Sequence, residues 1–182
     1  MNSSEKQLAT FASGCFWCTE AVFKRVKGVE EVVSGYTGGD SKNPNYSRIH
    51  TLHSGHVEAI QLEYDPEIVS YETLVEIFFG THDPTTLNRQ GYDIGPEYRS
   101  IIFYHSEEQR HIVEQVKFRL EKEQVFNGPI VTVVEPVKAF YPAENEHQDF
   151  YAKYPELPYC QVVIDPKIAK LRKKYAEYLT KE

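Results

Sequence analysis

The stretch LATFASGCFWCTEAVFKRVKG, residues 8–28, changes its period once. LATFA, residues 8–12, reads as a short strand. From Cys15 onward, Cys18, Val22 and Val26 recur at every fourth residue, which is the stripe of a helix, and Gly28 supplies its stop. Ser13-Gly14-Cys15 is then a tight turn that leaves Cys15 at a helix N-terminus. Free backbone N–H groups and the helix dipole stabilise an anion there. A cysteine in that place has its pKa lowered, and the thiolate is the reactive form. Cys15 is therefore the candidate nucleophile. Cys18 lies one turn on, about 5 Å along the axis, placed either to bridge back to Cys15 or to pack.

Outward from this stretch, strands and helices interleave. VEEVVSGY (29–36) and, within SGHVEAIQLEYDP, residues 57–64 read as strands closed by a glycine turn and by Asp65-Pro66. Ser70 caps a predicted helix through SYETLVEIFFG. After the loop of residues 81–97, YRSIIFY (98–104) is a predicted strand. Ser106-Glu107-Glu108-Gln109 is a capping box opening a helix with Ile112, Val113, Val116 and Leu120 on one face. IVTVVEP (130–136) reads as a strand, AENEHQDFYAKY (143–154) as a helix, and DPKIAKLRKKYAEYL (165–179) as a closing basic helix. This alternation gives an α/β or α+β domain and excludes a hairpin-rich all-β fold.

The chain has 182 residues, enough for one domain with a sizeable core and short for two. With 41% hydrophobic and 26% charged residues it reads as soluble and globular. The net charge of −7 argues against nucleic-acid binding, and no stretch is apolar enough to span a membrane. Three cysteines fit no closed disulfide framework, which points to the reducing cytosol, and the N-terminus lacks the apolar core of a secretory signal.

Three chemistries compete for the cysteine pair. A zinc half-site would need two more ligands, with Cys160 and His147 as candidates. A thioredoxin-like redox site also places CxxC after a strand at a helix start. The third is a reactive thiol beside an apolar pocket. Phe16 and Trp17 stand in the first helical turn, where two bulky aromatics are poorly placed for a fully buried core, and such rings attract methyl groups and polarizable sulfur. Strand alternation puts Glu58 on the same face as Ile60, Leu62 and Tyr64. A carboxyl there is desolvated, its pKa rises, and it can act as a general acid. The competing reading, stronger on this stretch alone, pairs Glu58 with a lysine or arginine or leaves it at a wet strand end.

Taken together, GCFWC (14–18), GYTGG (35–39), NPNY (43–46), SGHVEA (54–59), HDPT (82–85), NRQGYDIGPEYRS (88–100) and FYPAENEHQDFY (140–151) resemble the A-type peptide methionine sulfoxide reductases in order and spacing. The resemblance runs from about residue 8 to Cys160. It implies an α+β fold, a compact two-layer sandwich around a mixed sheet with the nucleophile opening the first helix. It implies one catalytic domain over residues 1–182, with a core of about 8–160 and a C-terminal basic helix of about 165–180. The implied activity is reduction of methionine S-sulfoxide, free or in proteins, in a cytoplasmic monomer without cofactor or bound metal. Cys15 matches the nucleophile and Glu58 the acid. Tyr46 and Tyr98 match the tyrosines that hydrogen-bond the sulfoxide oxygen, and Asp93 a substrate-orienting carboxylate. Phe16 and Trp17 match the aromatic wall around the substrate's methyl group.

The same resemblance implies a sulfenic acid on Cys15, a disulfide with a second cysteine, and recycling by thioredoxin. Here the chain departs from its relatives. Many carry glycine where this chain has Cys18, and others end in a glycine-rich tail with a further cysteine. Cys18 and Cys160 are both candidate resolving residues. Cys160 follows the proline-bearing PELPY, so it is expected on a mobile loop and expected to attack first, with Cys18 relaying the disulfide outward or serving as a backup.

Overall fold

The computed structural model describes residues 4–51 and 54–181. Strand β1 (Gln7–Ala12) leads into helix α1 (Phe16–Phe23), then β2 (Val29–Thr37), a short α2 (Tyr46–Thr51) and β3 (Val57–Tyr64). Helix α3 (Tyr71–Gly80) precedes a small hairpin, β4 (Arg89–Gln90) with β5 (Asp93–Ile94). Then come β6 (Ile101–Tyr104), the long α4 (Glu107–Lys122), β7 (Val133–Pro136), β8 (Tyr141–Pro142), α5 (Phe150–Lys153) and α6 (Asp165–Tyr175).

The main sheet runs β7-β6-β1-β3-β2-β8. Only the β6–β7 pair is parallel, so the sheet is mixed and the class is α+β. Alternation on β3 sets the two faces. Ile60, Leu62 and Tyr64 join the large core against the helices, while Val57 and Ala59 meet Ala12, Ile101 and Phe103 in a small cluster covered by Val137 and Phe140. Phe11 of β1 ties the layers together, with ring centroids 5.1 Å from Phe23 of α1 and 5.4 Å from Phe78 of α3. No helix among the described residues is long and apolar enough to cross a membrane.

Both predicted caps form. Ser70 and Ser106 accept hydrogen bonds from the N–H groups of Thr73 and Gln109. The Gln109 side chain reaches the N–H of His105, one residue short of a full capping box. Other expectations are corrected. Helix α1 ends at Phe23, so Val26 leaves the helical stripe and bridges to Leu179. β6 and β7 begin at Ile101 and Val133, which leaves Tyr98 in a 3-10 turn (Pro96–Tyr98). Residues 143–154 are not one helix. The Gln148 side chain acts as a strand would, accepting the N–H of Ser34 at 3.0 Å and donating to its carbonyl at 2.8 Å. That pins the segment to the edge of β2 and allows only a 3-10 turn (Asn145–His147), a left-handed Asp149 (φ 55°) and the short α5.

Candidate active site

The turn between β1 and α1 depends on Gly14. Its φ is +101°, and an added Cβ would lie 2.7 Å from the Gln90 side chain. Cys15 then caps α1, its carbonyl accepting the N–H groups of Cys18 (3.1 Å) and Thr19 (3.4 Å). The N–H of Phe16, an otherwise orphaned donor of the first turn, donates to Glu58 Oε1 at 3.0 Å. One hydrogen bond therefore fixes the Glu58 carboxyl of β3 beside Cys15, which opens α1.

Glu58 is only 1% exposed, and burial raises its pKa above the ordinary carboxylate value against the pull of His50 and the Phe16 N–H. Its partner is neither lysine nor arginine. His50 Nε2 lies 2.9 Å from Glu58 Oε2, at ion-pair distance but without hydrogen-bond alignment, and Nδ1 lies 3.0 Å from Glu97 Oε1. Helix α2 carries both His50 and Tyr46, four residues apart on one face, with ring centroids separated by 4.3 Å. Tyr98 meets the same imidazole at 5.6 Å. Glu144 holds the start of α2, accepting the Tyr46 N–H at 3.4 Å and the Tyr36 hydroxyl at 3.2 Å. Burial, with Glu58 close by, pushes Tyr46 up to about 12 and raises Tyr98 further. Both phenols stay protonated donors.

The three cysteines are free thiols and all are buried. The expected lowering of Cys15 at the helix N-terminus does not hold in this site. Burial raises its pKa well above the ordinary thiol value, and the neighbouring Cys18 adds to the rise. Cys18 is lowered, first by the neighbouring Cys15 thiol and also by the Lys167 ammonium. The Tyr159 hydroxyl lies 3.6 Å from Cys18 Sγ and donates to Asp93 Oδ2 at 2.7 Å. A cleft lined by Cys15, Cys18, Gln90, Tyr92, Asp93 and Lys167 gives access to the pair.

Cys160 is not on a loop. Pro158 and Tyr159 are already helical, and Cys160 opens a π-helical turn (Cys160–Ile164) that runs directly into α6, with no exposed surface. Proline suits a first helical position, where no N–H is needed. The mobility expected from the two prolines is thus replaced by a helical constraint.

The aromatic pair divides its work. Phe16 is wholly buried, with ring centroids 5.7 Å from Tyr36 and 5.5 Å from His147, contrary to the expectation that neither ring suits the core. Trp17 is half-buried and stacks on Phe150 at 3.6 Å and 4°. Its Nε1 donates to His147 Nδ1 at 3.3 Å. Trp17, Tyr46, His147, Phe150, Tyr154 and Leu157 line an apolar cleft. Sequence reasoning missed His50, Glu97, Tyr159 and Lys167 as members of the site. The four-residue spacing of Tyr46 and His50 was the one local signal for any of them.

Among the described residues, Glu144, Glu146 and His147 present ligand atoms within 4.8 Å of one another. The set that a zinc site would need, Cys15, Cys18, Cys160 and His147, is not gathered in this way.

The sequence pattern of a family described as peptide methionine sulfoxide reductase matches residues 7–179. The peptide methionine sulfoxide reductase MsrA of Chromobacterium violaceum is 50% identical over 171 residues, 94% of this chain and 97% of its own. That of Sulfolobus acidocaldarius is 51% identical over 171 residues, 94% and 96% of the two chains. Among solved structures, reduced Mxr1 of Saccharomyces cerevisiae superposes with a TM-score of 0.76 at 32% identity, covering 87% of this chain and 92% of that one. Mxr1 in complex with Trx2 matches at a TM-score of 0.54 and 26% identity, over 81% and 88%.

Proposed function

This chain belongs to the peptide methionine sulfoxide reductase family, and from that premise we propose that it reduces methionine S-sulfoxide, free or in proteins, and is recycled by thioredoxin. The observation that carries the reading is the Phe16 N–H to Glu58 bond, which joins a buried acid to a helix-capping thiol.

The chemistry follows from the groups present. A sulfoxide is polar at S–O and poorly electrophilic at sulfur. Cys15 attacks sulfur as its proton passes to Cys18, whose pKa is lowered by the neighbouring Cys15 and by Lys167. Glu58 protonates the oxygen, and the hydroxyls of Tyr46 and Tyr98 stabilise the charge that builds there. Trp17, backed by Phe150, faces the S-methyl group, and Asp93, held by Tyr159, orients the rest of the substrate. The S–O bond breaks, methionine departs, and oxygen remains on Cys15 as a sulfenic acid.

The place of Cys15 and Cys18 one helical turn apart in a single cleft favours Cys18 as the first resolving residue, the reverse of the order expected from sequence. Its thiolate, having released its proton through the cleft, attacks Cys15 sulfur. An S–S bond forms and hydroxide leaves, protonated to water. Cys160, close enough for the Cys18 charge to raise its pKa, takes the disulfide onward. Thioredoxin then supplies two electrons and two protons by exchange.

Incubation with each epimer of methionine sulfoxide and dithiothreitol tests the activity. Methionine should form from the S epimer alone. Reduction of insulin disulfides without methionine would instead identify a general thiol–disulfide oxidoreductase, the rival that the CxxC pair suggests. Disulfide mapping after one equivalent of sulfoxide tests the order: Cys160→Ser should still form the Cys15–Cys18 bond. Its loss there, with its persistence elsewhere in Cys18→Ser, would restore Cys160 as first resolver.

A further inference from the structure

We propose that His50 and Glu97 are positioning residues that reload Glu58 with a proton from a second surface cleft, on a path separate from the substrate cleft. The inference rests on the reading of Glu58 as the acid and adds the source of its proton.

Glu58 is spent each time it protonates oxygen. With sulfoxide bound, the side facing the cysteines is filled, and the carboxyl, 1% exposed, is shut off from bulk solvent. The far side is built differently. His50 spans two carboxyls, with Nε2 2.9 Å from Glu58 Oε2 and Nδ1 3.0 Å from Glu97 Oε1. Its two ring nitrogens allow a proton taken up at Nδ1 to be matched by one given at Nε2. The resting Nε2 contact is close but unaligned, so a small rotation of the ring makes or breaks the link. Tyr46 and Tyr98, the two phenols beside the ring, limit that rotation.

Glu97 reaches solvent by its own route. It lines a surface cleft with Ile49, Ser54, His56, Asn88 and Arg99, which shares no residue with the cleft at Cys15 and Cys18. Gly95 makes room for it. Its φ is +148°, and an added Cβ would fall 2.5 and 2.6 Å from the two Glu97 carboxyl oxygens.

Arg99 and His56 share the surface cleft with Glu97. Asp93, Tyr46, Tyr98, Cys15 and Tyr36 face Glu58 from the neighbouring elements, and Glu58 and Glu97 face His50. Burial pulls the His50 pKa down, but the two carboxyls outweigh it, so the ring holds a proton above its ordinary range. Protons balance over a turnover. Two thiols release one each through the cysteine cleft, and two arrive at oxygen by way of Glu58, to leave as water.

The test is the pH profile of kcat/KM for methionine S-sulfoxide, with dithiothreitol as reductant, in the full chain. In the parent, the alkaline limb reports loss of the proton shared by Glu58 and His50. Glu97→Gln removes a negative charge beside Nδ1, so the shared proton is held less tightly and the limb should move to lower pH by about one unit or more. His50→Gln should lower the plateau about tenfold or more, and added imidazole should restore part of it. Glu97→Asp, which keeps the charge, should leave the limb near its parental position and serves if Glu97→Gln folds poorly. A limb that stays put in Glu97→Gln, or a rate loss in His50→Gln that imidazole does not touch, overturns the relay and leaves a structural role. If Glu58→Gln is itself fully active, it is the acid assignment that fails, whereas an inactive Glu58→Gln beside unaltered His50 and Glu97 variants removes the relay alone.

Discussion

Replacing Glu58 by glutamine removes a proton donor while keeping the shape of the side chain. The amide oxygen can still accept the Phe16 N–H that now reaches Glu58 Oε1 at 3.0 Å, so α1 and β3 keep their join. On the proposed reading, what is lost is acid catalysis at the sulfoxide oxygen, about a hundred- to ten-thousand-fold in rate. That corresponds to about 3–5 kcal/mol of transition-state stabilisation. The assay is methionine formed in a single turnover from one equivalent of S-sulfoxide, which separates this step from disulfide recycling. Stability supplies a second readout with a definite sign. Burial raises the Glu58 pKa from its ordinary 4.5, so the native state holds this proton more tightly than the unfolded chain does. The parent therefore loses stability as pH rises from the unfolded value towards the native one, and stays level above it. Glutamine has no such loss. The two proteins should unfold alike at pH 3–4, and the variant should be the more resistant at pH 7. A single-turnover rate equal to the parent's at neutral pH would refute the acid assignment.

Gly14→Ala should cost about 1 kcal/mol or more of stability in urea and reduce activity, because φ is +101° and the new Cβ meets Gln90 at 2.7 Å. Tyr159→Phe leaves Asp93 without the hydroxyl it accepts at 2.7 Å, a bond to a charged group worth about 1.5–3 kcal/mol, and kcat/KM for sulfoxide should fall about ten- to a hundredfold. An unchanged value would detach Asp93 from substrate orientation. Ser106→Ala removes the cap that accepts the Gln109 N–H and should cost about 1 kcal/mol by thermal unfolding with no effect on activity, since α4 contributes nothing to the site.

Legibility in the sequence followed the range of the interactions involved. The β1–turn–α1 unit, the two serine caps and the core-facing side of β3 are local patterns, and each could be read from residues a few positions apart. The His50–Glu97 contact spans 47 residues and the Tyr159–Asp93 bond 66, so no periodicity announces them. Residues 143–154 misled for a related reason. Their composition suits a helix, but Gln148 finds a better partner in the backbone of Ser34, 114 residues away. Cys160 misled through proline. The prolines of PELPY point to a mobile loop, whereas Pro158 sits where a helix begins. The nucleophile's expected pKa failed on magnitude. The helix-terminus effect is worth about 0.3–1 kcal/mol at the surface, and removal of the thiolate from water outweighs it.

That failure bears on how the site works. Burial comes first among the causes that raise the pKa values of Cys15, Glu58, Tyr46 and Tyr98, and so favours the protonated form of each. A site lined by proton donors suits a ligand that can only accept, and the oxygen of a sulfoxide is such a group. The same burial would leave an inert thiol if Cys15 stood by itself. On the proposed reading Cys18 changes that, because its pKa is lowered by the neighbouring Cys15 and by Lys167, which suits it to take the Cys15 proton. The attacking thiol would then stay neutral until sulfur is in place and pass its proton to the cysteine one turn on. On this account Cys18 acts twice, first as the acceptor that frees the attacking sulfur and then as the thiolate that resolves the sulfenic acid. Cys18→Ser should therefore slow the first methionine-forming turnover as well as the disulfide step. A resolving residue alone would slow only the second, and a parental first-turnover rate in that variant would remove the earlier role.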